Sequence, residues 1–107
     1  MEQRRTRRFQ LQLPLSIIRS GATRVEWSGC TNNISSGGVL FSTETEPDFA
    51  GPIEYVITLT RDGQQAVSLR CMGRIVRADR EESGLDEALP AYRIAATLER
   101  YEFVREH

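Results

Sequence analysis

Lysine is absent from this chain: all 14 basic side chains among its 107 residues are arginine. Histidine occurs once, as the terminal His107, so no Ser–His or Cys–His pair is available for nucleophilic catalysis. Cys30 and Cys71 are the only cysteines and form no C-x-x-C, which removes the usual zinc frameworks. No P-loop or spaced acid pair stands out, and the chain reads as a non-enzyme without metal or cofactor. No run approaches the ~20 apolar residues of a membrane span. No apolar segment of the secretory type follows the basic N-terminus. The expectation is a cytoplasmic protein whose two cysteines are reduced and buried in strand-like surroundings. The net charge of −1 implies no bulk attraction to nucleic acid or to an anionic membrane.

What is present is unevenly placed. Residues 1–8 hold four arginines against one glutamate, whereas Asp79 to Glu87 hold five acids against one arginine. Basic character is therefore concentrated in an N-terminal arm, and Asp79 to Ala91 reads as the one mobile insertion, with room for a helical turn at Leu85–Leu89. Apolar content of 39% over this length is enough for one core without staples.

Along the chain the hydrophobic period is two almost everywhere. Phe9, Leu11, Leu13, Leu15 and Ile17 alternate with polar residues, which predicts a half-buried strand, and Pro14 places that strand at an edge or bulge. Gly21 closes it and Thr23 to Trp27 reads as its hairpin partner. Val39 to Ser42 starts a third strand with Phe41 in the core, and Ile53, Tyr55, Ile57 and Leu59 make a fourth. Asp62-Gly63 turns the chain into a fifth strand at Val67, Leu69 and Cys71. A phase slip near Gly73, toward Val76, predicts a β-bulge. Tyr92 to Leu98 is the last strand. Leu98, Tyr101 and Val104, about three apart, predict a short helix over residues 99–107. The fold class is all-β: six short antiparallel strands closing a barrel over residues 9–98, a flexible arginine arm at 1–8 and the C-terminal helix, all in one domain.

Two motifs stand out on this frame. Arg4 and Arg8 form R-x-x-x-R, and Asn33, Ser35 and Gly38 form N-x-S-x-x-G about 25 residues later. With 14 arginines the first spacing is expected by chance, and Arg70 and Arg74 repeat it within a strand, where it only places both on one face. The second should arise in only about 3% of chains of this composition. By itself an Asn-Ile-Ser-Ser-Gly-Gly segment is a turn whose Asn and Ser bond local backbone and whose Gly takes positive φ. In this order and separation, the two motifs resemble the binding signature of the PilZ family, bacterial β-barrel receptors for the second messenger cyclic di-GMP. The resemblance covers essentially the whole chain. Asn33 stands where many relatives have Asp, and Gln3 where some have another arginine.

The resemblance implies a site for cyclic di-GMP made by Arg4, Arg8, Asn33, Ser35 and Gly38, with Arg5, Arg7 and Gly37 as additional contacts. The chemistry is coherent. Arginine grips guanine O6 and N7 with two donors, stacks on the base, or forks onto a phosphate. Asn33 offers an amide oxygen to guanine N–H groups, Ser35 a hydroxyl, and Gly38 an approach free of a Cβ. Successive N–H groups in the turn are suited to an anion-binding nest. Trp27 and Tyr55 read as core residues. The implied mechanism is ordering of the arm on nucleotide binding, with output through an unidentified protein partner or self-association. The alternative is a PilZ-like interaction module that works without nucleotide. A nucleic-acid binder is disfavoured by the acidic loop and the near-zero net charge.

Overall fold

A computed structural model describes residues 12–45, 51–62, 65–81 and 91–106. Within them the chain forms seven strands: β1 (Pro14–Ser20), β2 (Thr23–Ile34), β3 (Gly38–Thr43), β4 (Pro52–Asp62), β5 (Gln65–Glu81), β6 (Ala91–Thr97) and β7 (Arg100–Glu106). All pairings are antiparallel. Strand order β4-β1-β2-β3-β6-β5, with β4 paired back to β5, closes a six-stranded barrel, and β7 is added on β5.

The alternation read from the sequence is the alternation observed. Leu15 and Ile17 of β1, Phe41 of β3, Ile53, Tyr55 and Ile57 of β4, Cys71 of β5 and Ile94 of β6 point inward and are fully or almost fully buried. Each fully buried side chain of this size contributes about 1.5–3 kcal/mol. Tyr55 and Phe41 meet at the centre, their rings tilted with centroids 5.8 Å apart. Pro14 is the first residue of β1, where its missing N–H costs no ladder bond. Trp27 packs on the edge of the core. Cys71 is buried, but Cys30 is exposed: Thr31 beside it faces inward, so Cys30 faces out. Both thiols are free.

β5 is the longest strand because it serves two neighbours along one edge. Residues 66–72 pair with β7 and residues 75–81 with β6, so Asp79 to Glu81 and Ala91, expected in the insertion, are strand instead, because the β5–β6 ladder extends over them. The hand-over contains a register shift between Ile75 and Arg77, so the extra residue is Val76, which stands 63% exposed. The bulge therefore falls three residues after Gly73, which stays in phase. Gly73 is required by close approach: a Cβ there would fall onto the Thr97 carbonyl oxygen, with the carbonyl carbon 2.7 Å away.

The C-terminal helix expected over 99–107 is not formed; residues 100–106 are strand β7. The three-residue spacing of Leu98, Tyr101 and Val104 competes with a period-two reading of a segment rich in Tyr, Phe and Val, which favour strands. The open edge of β5 at 66–72 decides the outcome, because it offers seven backbone positions for pairing. Among the described residues there is no helix, and thus none that is long and apolar enough to cross a membrane. Arg4, Arg5, Arg7 and Arg8, the strand onset at residues 9–11 and the helical turn expected at Leu85–Leu89 lie outside the described residues.

Candidate functional site

The turn from β2 to β3 is built by Ser35. Its N–H and its hydroxyl both donate to the Gly38 carbonyl, at 2.9 and 3.2 Å, and its oxygen accepts the Gly37 N–H at 3.4 Å. One small side chain thereby closes the turn from both sides. The Gly37 carbonyl accepts the Leu98 N–H at 3.2 Å, tying the turn to the corner after β6. Neither Gly37 nor Gly38 adopts the left-handed conformation, so the turn is not the alternating-handed nest, and positive φ is not why these glycines are here. At Gly38 the reason is packing: it pairs with Thr97, and a Cβ would stand 2.9 Å from the Ala96 carbonyl oxygen. Gly37 has open space around its Cα.

Asn33 is aimed by a bulge. The β2–β3 register shifts between Thr31 and Asn33, leaving Asn32 as the extra residue, its amide donating to Ser42 Oγ at 2.9 Å. Asn33 is half-buried, and among the described residues its side-chain amide has no hydrogen-bond partner. Asn33, Ser35, Gly37 and Gly38 line one groove of about 450 Å³, together with Val39 and Leu40 of β3, Val76 and Arg77 of the β5 bulge, and Ala95 to Thr97 of β6. The volume lies within the range of small-molecule sites. Its floor is apolar, its turn side polar, and Arg77 supplies a cation. Arg77 is paired with Asp79 at 2.9 Å, but both side chains are largely exposed, so the pair is weak and exchangeable. A second depression, lined by Gln12, Asn32, Asn33, Leu40 and Arg93, shares Asn33 with the groove.

The entry of the chain into β1 is fixed beside this site. Leu13 donates its N–H to Thr31 Oγ1 at 2.8 Å and accepts the Thr31 N–H at 2.9 Å. Thr31 is fully buried and lies two residues before Asn33.

Thr97 links groove and core. It pairs with Gly38, its Oγ1 accepts the Arg74 N–H at 2.9 Å and donates to Glu99 at 2.8 Å, and its carbonyl accepts the Tyr55 hydroxyl at 3.1 Å. Burial pushes the Tyr55 phenol above its ordinary range, with the neighbouring Cys71 and Glu99 adding to the shift. Burial likewise pushes the Cys71 thiol up to about 12, which leaves it protonated and inert at neutral pH.

Of the residues singled out by sequence, the structure brings Asn33, Ser35, Gly37 and Gly38 to one groove. Arg70, by contrast, is ion-paired on the outer wall with Glu54 at 3.0 Å and with Glu102 at 3.9 Å, in keeping with a role confined to the strand surface. Val76 and Arg77 were not anticipated as lining residues. The one available signal, the phase slip after Gly73, points to a bulge but not to which residue it expels.

The PilZ domain family model matches residues 2–101, and the chain belongs to that family. No curated protein and no solved structure matches it.

Proposed function

We infer that this protein is a cyclic di-GMP receptor, with Asn33, Ser35 and Gly38 forming the rigid half of the site and Arg4 and Arg8 the arm that closes on it. Membership in a family of cyclic di-GMP receptors supports this reading. The observation that carries it is the convergence of the turn residues on one groove next to the point where the chain enters the barrel. Gln12 and Asn33 line the same depression. Four residues of extended chain span at most about 14 Å, so Arg8 is tethered within that distance of Gln12, and Arg4 within about twice it.

The division of labour follows from the chemistry. The side-chain amide of Asn33 meets a guanine edge, and Val76, expelled by the bulge, offers an apolar surface for a base. Arg77 exchanges Asp79 for a phosphate. Arg4 and Arg8, with Arg5 and Arg7 in support, supply the paired donors that guanine O6 and N7 or a second phosphate require. Ser35 acts mainly through the turn, because both lone-pair and proton functions of its hydroxyl are engaged there. Nucleotide thus ties the arm to the Asn33–Gly38 turn and alters the surface that a partner meets. Nothing in this reading calls for a chemical step, and the protein acts as a binding module rather than an enzyme.

The test is calorimetric titration of cyclic di-GMP into the wild type, Arg8→Ala and Asn33→Ala, with GTP as control. Saturable binding that is abolished by Arg8→Ala, weakened at least tenfold by Asn33→Ala and not given by GTP supports the receptor. A folded wild type that yields no heat, and whose melting temperature is unmoved by excess nucleotide, refutes it.

A further inference from the structure

β7 ends the sheet. One edge pairs with β5, and among the described residues the other edge has no partner strand. An unpaired edge is a template for another strand. The face of β7 that continues the barrel's inner side carries Tyr101 and Phe103, opposite Cys71 and Leu69 of β5. Because β6 takes over β5 only from Ile75 onward, these rings lie beyond the closed wall. They are 60% and 65% exposed and contact each other edge-to-face at 6.3 Å. Among the described residues, two of the three large exposed hydrophobics therefore sit on one open edge strand.

The residues of β7 are self-complementary. When two copies pair antiparallel about a two-fold axis through Phe103, Phe103 meets its own copy. Tyr101 then stands across from Arg105, and Glu102 across from Val104. Aromatic–aromatic and arginine–aromatic neighbours are favourable across strands, and no like charges are opposed. Moving the axis by one residue destroys this. An axis at Glu102 sets that carboxylate against its own copy, and an axis at Val104 sets Phe103 against Arg105 and leaves Tyr101 without a facing residue in β7. Phe103 is the midpoint of β7, so this register alone pairs the strand over its whole length, and it opposes no like charges over residues 101–105.

We propose that this chain forms a two-fold homodimer by antiparallel pairing of β7 with β7 of a second copy, centred on Phe103. Joining the edges merges the two aromatic pairs into one four-ring surface and supplies backbone partners to both free edges. The dimer does not depend on nucleotide, so measurements without nucleotide keep its outcome separate from the receptor reading.

The experiment is sedimentation equilibrium of the full chain over a wide concentration range, for the wild type, Phe103→Glu and Phe103→Lys. Phe103 is exposed, so both variants keep the wild-type fold, checked by circular dichroism. The wild type reaches twice the chain mass. Each variant alone is monomeric, its dissociation constant raised at least tenfold, because like charges face each other at the axis. An equimolar mixture of the two variants recovers the dimer. A wild type that stays monomeric throughout, or a dimer untouched by both variants, overturns the proposal. Monomeric variants whose mixture fails to pair overturn the Phe103-centred register.

Discussion

Gly37 and Gly38 are adjacent in the same motif, yet alanine is expected to act on them with opposite sign. A Cβ at residue 38 would stand 2.9 Å from the Ala96 carbonyl oxygen, roughly half an ångström inside ordinary van der Waals contact. The obstacle is backbone in the paired strand β6, which moves only if the β3–β6 ladder opens. Overpacking of this kind costs about 1–3 kcal/mol. Gly→Ala at an unstrained backbone returns about 0.4–1 kcal/mol through the unfolded chain. The net for Gly38→Ala is a loss of up to about 2.6 kcal/mol, centred at about 1.3 kcal/mol, which lowers the melting temperature by about 5–10 °C at the centre for a domain of this size. Gly37 has nothing within 4 Å of its would-be Cβ, so Gly37→Ala keeps or gains up to about 1 kcal/mol. Gly73→Ala calibrates the top of the scale, since its Cβ falls onto the Thr97 carbonyl. The assay is thermal and urea denaturation of the variants without nucleotide, so that ligand contacts do not enter. The order expected is Gly37→Ala at or above wild type, then Gly38→Ala, then Gly73→Ala lowest. If Gly38→Ala melts at or above wild type, or Gly37→Ala falls as far as Gly38→Ala, the steric argument is wrong.

Two further outcomes follow from the buried polar groups Tyr55 and Cys71. Tyr55→Phe removes the hydroxyl that donates to the Thr97 carbonyl at 3.1 Å and lowers stability by about 1 kcal/mol in urea titration, since a part-buried acceptor loses its donor. Cys71 keeps its proton in the folded state up to about 12, against 9.0 for an unperturbed thiol, so its contribution is fully present below pH 9 and is lost as pH rises from 9 toward 12. Stability measured from pH 8 to 10 therefore declines in the wild type, by at most about 1.4 kcal/mol per pH unit from this group, and the decline is shallower in Cys71→Ala. An equally steep profile in the variant would exclude Cys71 as its source.

The strands that close the barrel were legible because each has one buried face. Ile53, Tyr55 and Ile57 announce β4, and Leu15 and Ile17 announce β1, since alternation survives wherever packing is one-sided. β7 lacks that signal. Tyr101, Glu102 and Phe103 are all exposed, so neither face carries a burial pattern, and the strand exists because β5 has an edge to offer far back in the sequence. Cys30 was misassigned for a related reason: strand surroundings alone do not fix which face a residue takes, and the inward-facing Thr31 leaves Cys30 outside. At the candidate site, the spacing of Asn33, Ser35 and Gly38 reflects a local turn and is readable. Val76 and Arg77 reach the same groove only through the β5–β6 register shift, which involves two strands and leaves no local trace beyond the slip near Gly73.

The closure of the barrel also bears on how the groove comes into being during folding. β1 finds β2 across a short turn, but the pairs that shut the wall are remote. Leu15 meets Ile57 from about forty residues away, and Gly38 meets Thr97 from about sixty. Such long loops must be closed before their contacts return any free energy, which places a barrel of this kind among the slower-folding small domains, in milliseconds to seconds. The groove needs the β2–β3 turn, the β5 bulge and the end of β6 together, so no partially folded chain with only local hairpins possesses it. A ligand held there recognises the finished barrel alone, and it stabilises that one state by RT ln(1 + L/Kd), a gain that grows with the free ligand concentration L.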